Sequence, residues 1–445
     1  MKITKYGSST VLIESRGISI LCDPWLIDGA LYGAWCNFPP IDVDQIDFSK
    51  IDYLYISHVH PDHFDAKTMN LINQDIPVLI HSYHQKFLKK NIERLGFKTI
   101  ELKNGQPYEL GENVKFSIFA ADNCDPSICG RMFGCVTGDI KGSMQLDSLC
   151  VIDDGEYVLV NTNDCPFKIS CNALKTVKIF YPNIDFALVG YTSASLFPHC
   201  MMDYSNEEMS EGIQKAKMSG LQSGLSTLSV LKPKYYMPFA GTYIIGGSHY
   251  KKNMNLPLPE MTDAIQFFQN DDHISNANCQ PILLNFNASF DLKTEKVSAP
   301  YIEICPVQRK VYIEKTASKF KYTFEAEPMV NNDELLKHFR DASLRLKQKQ
   351  RELDKFEDIN LIFDVNDKKF VHINLMNSNP KIVEDFSDLV NYHRFKLDPR
   401  LLNLSLKGPR FANWNNIESS GMLDFARKPD EYRMDVHILL SSLYV

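Results

Sequence analysis

The segment His58-Val59-His60-Pro61-Asp62-His63 places four potential metal ligands within six residues. In an extended chain, side chains alternate between faces, so His58, His60 and Asp62 share one side. Pro61 forbids a regular continuation, and a turn there lets His63 point back to the same place. Imidazole and carboxylate donors suit zinc, iron or manganese, and no cysteine in the run speaks for a softer metal. The competing reading is a solvated polar loop. Against it, three of only 12 histidines fall inside this one short segment. A pair of such cations polarises an ester, lactone or phosphoryl oxygen and lowers the pKa of a bound water, giving hydroxide at neutral pH.

The elements around the cluster are strands with polar ends. Asp52 to Ser57 (DYLYIS) is β-prone and runs straight into it. Thr10–Ile13 and Ile18–Leu21 form a hairpin across Arg16-Gly17. Pro24 ends the second of these strands and aims Asp23 out of its end. Helices are expected near Ala66–Asn73 and His84–Leu95, with the strand Val78–His81 between them. Later β-rich runs repeat the pattern: Tyr157–Val160 leads into Asn161–Asp164, Phe186–Val189 into Gly190–Ser193, and Tyr235–Met237 into Pro238–Gly241. A helix between the last two begins with the capping box Ser205-Asn206-Glu207-Glu208. Such an α/β pattern suits a β-sandwich with helices outside and a site along one edge.

A chain of 445 residues exceeds the usual single core. The texture changes after about Pro306: a charged helix spans Asp333 to Phe356, then strands Asn360–Val365 and Phe370–Leu375 flank the turn Asn366-Asp367. The expected division is a catalytic domain at 1–310 and a smaller α/β domain at 311–445. A net charge of −7 argues against a nucleic-acid binder. The N-terminus does not read as a signal peptide, and no apolar run approaches 18 residues, so a cytoplasmic chain without a membrane span is expected. Eleven cysteines fit reduced thiols. Six of them, Cys124, Cys129, Cys135, Cys150, Cys165 and Cys171, crowd together, but without the tight pairs of an iron–sulfur or structural zinc site.

The stretch Ser57–Asp65 (SHVHPDHFD) resembles the HxHxDH signature of the metallo-β-lactamase superfamily. That resemblance implies an αββα sandwich holding two divalent ions (Zn, Fe or Mn). By position, His58 and His60 would serve the first ion, Asp62 and His63 the second. Asp164 in VLVNTNDC would be the bridging aspartate, and His249 in PFAGTYIIGGSHY the final histidine. The segments CDPWL, YISHVHPDHF, VNTNDC and MPFAGTY together resemble the catalytic domain of CMP-N-acetylneuraminate hydroxylase. More distant are ascorbate-phosphate lactonase and N-acylphosphatidylethanolamine phospholipase D.

Two departures qualify the resemblance. The hydroxylase carries a Rieske domain, and no CxH and CxxH pair of that type occurs in this sequence. The superfamily's third histidine for the first ion is also missing; the resemblance puts Asp125 in DNCDP at its position, which would either harden the site toward iron or manganese or leave the first ion under-coordinated. The alternative for Asp125 is a loop-capping turn. Asp23 is expected to orient a ligand imidazole.

The resulting expectation is a binuclear hydrolase with Asp62, Asp164 and Asp23 as its catalytic carboxylates. Its substrate would be a small molecule: a phosphoester, a lactone or a sugar derivative. The alternative is a di-iron oxygenase acting on a nucleotide sugar with a ferredoxin-type reductant, and a third reading is a binding protein with a decayed site. Ser193, Ser195 and His199 are weaker candidates for substrate contact, and His81 and His84 read as structural.

Overall fold

The computed structural model of the protein describes residues 1–125, 147–192 and 194–445. Most of the 123–142 loop, Cys129, Cys135 and Ser193 fall outside them.

Two sheets face each other. In the first, Lys2–Lys5, Val11–Ser15 and Ile18–Cys22 run antiparallel, and Tyr53–Tyr55, Val78–His81 and Thr99–Leu102 add on in parallel. In the second, Val114–Ala120, Ser148–Asp153 and Val158–Asn161 are antiparallel neighbours, followed in parallel by Phe186–Gly190 and Tyr235–Phe239. The hairpin turn at Arg16-Gly17 uses two positive φ angles, 48° and 80°, the backbone that matches strand twist.

Period-two alternation builds the layers. Val11, Ile13, Ile20, Tyr55 and Leu79 point inward and meet Phe116, Ile118, Ile152 and Leu188 of the second sheet. Their strand neighbours Leu12, Leu21, Leu54, Val78 and Ile80 point outward, onto Met69, Leu88 and Ile92 of the short helices Ala66–Met69 and Phe87–Arg94. Helices Phe167–Phe180 and Asn206–Leu231 cover the other outer face through Ala173, Leu174, Leu221 and Leu228. The long helix carries the expected capping box at Ser205 and Glu208. It lies close to the sheet because Gly220 has no side chain: a Cβ there would sit 2.5 Å from the Tyr191 carbonyl oxygen. The architecture is thus an αββα sandwich.

A third sheet of five strands, built from Asn360–Asp364, Phe370–Asn374, Lys381–Val383, Tyr392–Lys396 and Asp424–Lys428, packs with helices Asn332–Leu353 and Pro399–Lys407. Its core is continuous with Trp25, Leu31 and Trp35 of the first half, so the C-terminal region sits against the loop that follows Asp23. No helix among the described residues is long and apolar enough to cross a membrane. Among the described residues no two cysteines form a disulfide; Cys22, Cys36, Cys150, Cys165, Cys200 and Cys279 are buried, behaving as small apolar groups.

Candidate metal centre

The site lies where strands from both sheets end together. Ile18–Cys22 and Tyr53–Tyr55 are parallel neighbours, so Asp23 and Ser57 emerge side by side. The Asp23 backbone N–H donates to the Tyr55 carbonyl at 2.8 Å. From the second sheet, Asp147 precedes Ser148–Asp153 and Asp164 follows Val158–Asn161. The two sheets are tied beneath the site: the Asn163 amide donates to the Tyr55 hydroxyl (3.2 Å) and the Ser148 carbonyl (2.9 Å). The Ser148 hydroxyl in turn donates to the Ser57 carbonyl at 2.9 Å.

After His60 the chain turns, with the His63 and Phe64 N–H groups both donating to the His60 carbonyl. Asp65 closes the turn by capping helix Ala66–Met69 through the Thr68 N–H and hydroxyl. The Thr68 hydroxyl then accepts from the Leu26 N–H, locking the turn to the segment after Asp23.

Two groups of donors result, each with its ligand atoms within 4.8 Å of one another: His58, His63 and Asp164, and His58, His60 and Asp147. His58 Nε2 lies 2.8 Å from His60 Nδ1 and 3.4 Å from Asp147 Oδ1. His63 Nε2 lies 3.1 Å from Asp164 Oδ2 and 3.5 Å from Asp62 Oδ2, yet makes no hydrogen bond of good geometry among the described residues. Its other nitrogen, Nδ1, is held 2.9 Å from Asp23 Oδ2. Asp23, itself fully buried, also accepts from the Ser57 N–H and hydroxyl, both at 2.7 Å. A buried imidazole nitrogen without a hydrogen bond, aimed between two carboxylates and fixed from behind by a third, fits a divalent cation.

Burial sets the electrostatics, and charge then modifies it. It pushes Asp62 up to about 7 and Asp147 up to about 6. It drives His58 well below its ordinary value, with His63 adding to the effect, and lowers His60 to about 4, with His58 adding. Burial would lower His63 as well, but Asp164, Asp62 and Asp23 outweigh it and raise that imidazole. Asp164 is held below the usual carboxylate range because His63, then His58 and His60, outweigh its burial. The two shifts are opposite in direction: His63 is raised by the carboxylates around it, and Asp164 is lowered by the imidazoles.

His58, His60, His63 and Asp164 come together, with Asp62 alongside and Asp23 behind. Asp125 and His249 do not join either group. Asp125 closes a turn by donating its N–H to the Asp122 carbonyl at 2.9 Å. The carboxylate in the group is Asp147, whose carbonyl accepts from the Ala121 N–H directly across the hairpin. His249 is drawn into the 3-10 helix Gly247–Asn255, with Nδ1 3.0 Å from the Tyr322 hydroxyl. Ser195 donates to the Phe197 carbonyl within its own turn, and buried His199 packs by Gly421. A cavity of about 660 Å³, lined in part by Phe38, Phe286, Ile304 and Tyr312, contains none of the cluster residues.

Sequence reasoning missed Asp147 and Asn415. The signal for Asp147 was an acid immediately before the β-rich run SLCVID, on the same edge as the chosen Asp125. Asn415, whose amide nitrogen lies 2.8 Å from His60 Nε2, had no local signal, because 355 residues separate it from its partner.

Residues 2–126 match the family model described as the beta-lactamase superfamily domain. The histidine cluster His58–His63 lies inside the matched segment. Over 219 residues the chain is 31% identical to a protein of Mycolicibacterium smegmatis named as a Rieske 2Fe-2S iron-sulfur protein, covering 48% of this chain and 39% of that one. It is 26% identical over 270 residues to the cytidine monophosphate-N-acetylneuraminic acid hydroxylase of Asterias rubens, covering 57% and 37%. The matches thus span less than half the length of these relatives. Among solved structures, one described as a possible metal-dependent hydrolase from Veillonella parvula aligns with a TM-score of 0.45 at 10% identity, over 65% of this chain and 98% of that one.

Proposed function

We propose that the chain is a binuclear metal-dependent hydrolase acting on a small phosphoester, lactone or sugar derivative. The observation that carries this reading is the sharing of His58 between two three-donor groups, one completed by His60 and Asp147, the other by His63 and Asp164. His58, His60 and Asp147 would hold one zinc, iron or manganese ion; His63 and Asp164, with Asp62, would hold the other. When bound, two such cations polarise the substrate oxygen and lower the pKa of a coordinated water. The chain's own part is to fix the donors: Asp23 orients His63, Ser57 orients His58, and the Asn163–Tyr55–Ser148 ties keep Asp147 and Asp164 at a constant separation. This reading requires no serine or cysteine nucleophile.

One observation favours a second reading. His58, His60 and Asp147 form a two-histidine, one-carboxylate set, the hard donor set of non-haem iron oxygenases. The names of the relatives, a hydroxylase and a Rieske protein, lean the same way. The chain would then be a di-iron oxygenase on a nucleotide sugar, with electrons from a separate ferredoxin-type or Rieske protein.

Reconstitution separates the two. Protein loaded with zinc or manganese that cleaves chromogenic phosphodiesters or lactones supports the hydrolase. Iron-loaded protein that consumes dioxygen only with a reductant and CMP-sialic acid, and hydrolyses nothing, replaces it with the oxygenase.

A further inference from the structure

An imidazole that coordinates through one nitrogen carries its proton on the other, and that N–H needs an acceptor to fix the ring. For two of the three clustered histidines the partner is local. His63 Nδ1 has Asp23 Oδ2 at 2.9 Å, and His58 Nδ1 has the Ser57 hydroxyl at 2.9 Å. His60 is different. Its Nδ1 faces His58 Nε2, so its outer nitrogen is Nε2, and the group beside that atom comes from the far end of the chain: the Asn415 side-chain amide at 2.8 Å.

Asn415 sits in the first turn of helix Trp414–Ser420, and that turn is fixed from several sides. The Asn413 side chain caps it by accepting from the Asn416 N–H. The Asn413 N–H donates to the Tyr32 hydroxyl at 2.9 Å, reaching the loop that follows Asp23. Trp414 is buried between Phe363 and Phe395 of the third sheet. The amide is therefore carried on a braced element, although Asn415 itself is exposed at the rim.

An asparagine amide offers a donor and an acceptor related by a half-turn about its terminal bond. In one orientation the amide NH2 donates to a His60 Nε2 that carries no proton; turned over, its oxygen would accept from a protonated Nε2, the tautomer His60 needs if Nδ1 is the coordinating atom. We propose that Asn415 is a positioning residue for His60, so that the C-terminal region completes the metal centre by fixing the tautomer of one ligand. This rests on the metal-site reading above.

The test is cobalt(II) binding by the full chain, followed by chelator competition and the visible spectrum of the bound ion. Asn415→Ala weakens one of the two bound ions by about 10- to 100-fold, the range for loss of a ligand's outer partner, and alters its spectrum. Asn415→Asp, which keeps an acceptor oxygen, stays near wild type. Both variants keep the wild-type melting temperature when metal-free, because the residue is exposed. His60→Ala loses one ion. Wild-type affinity and spectrum in Asn415→Ala, beside a loss in His60→Ala, overturn the proposal and leave the metal reading standing. Equal weakening in the Ala and Asp variants also overturns it, because the acceptor is then not the cause. If His60→Ala binds both ions like wild type, the metal reading itself falls, and this proposal with it.

Discussion

Asp23 and His63 lie 2.9 Å apart, carboxylate to Nδ1, with neither side chain exposed to solvent. The pair joins the end of one strand to the last residue of the histidine cluster, and it leaves His63 Nε2 facing Asp62 and Asp164.

Asp23→Asn keeps the shape but removes the charge and one acceptor. The expected outcome is a 10- to 100-fold loss of affinity for the ion held by His63, with the ion held by His60 little changed. Isothermal titration with zinc checks it, and unchanged affinity at both positions contradicts the orienting role.

Much of this centre was legible in the sequence because it is local. A strand that ends in a histidine cluster displays its candidate donors, and Asp164 follows a recognisable strand in the same way. The sandwich was legible too, since alternation along Val11–Ile13 and Ile18–Cys22 separates an inner face from an outer one. Asp147 and Asn415 were not, because hairpin register and the docking of the third sheet decide them. Asp147 precedes Ser148, which pairs with Ala120, and that register brings it to the donor group. His249, suggested by its motif position, lies in this structure with its ring beside Tyr322 and outside both donor groups.

His199 predicts a pH dependence of stability. Its ring is buried, both nitrogens lack hydrogen-bond partners among the described residues, and burial, then the Lys252 charge, lower its pKa from 6.5 to about 3. Between those values the unfolded chain binds a proton that the folded chain does not. Its contribution is therefore fully present above pH 6.5 and is lost as pH falls toward 3, at about 1.4 kcal/mol per pH unit. Urea unfolding at pH 7.5 and pH 5 should show a smaller drop for His199→Leu than for wild type; equal drops would contradict the assignment.

Lys252 fastens the C-terminal region to the sandwich. Its Nζ donates to the Gly421 and Leu423 carbonyls at 2.9 and 2.8 Å and pairs with Asp424 at 2.7 Å, with the lysine side chain 15% exposed. Lys252→Met keeps the apolar stem but strands two carbonyls and a carboxylate. We expect a loss of about 2–3 kcal/mol in urea-measured stability. A change below 0.5 kcal/mol, the size usual for a surface site, would show that the fastening lies elsewhere.

The central claim is a binuclear centre in which Asp147 serves one ion and Asp164 the other. Elemental analysis of purified protein, wild type beside Asp147→Ala and Asp164→Ala, tests it most directly. The account predicts about two zinc, iron or manganese atoms per chain in wild type, by the two-group donor set, and fewer in each variant. Metal content unchanged by both substitutions would contradict it.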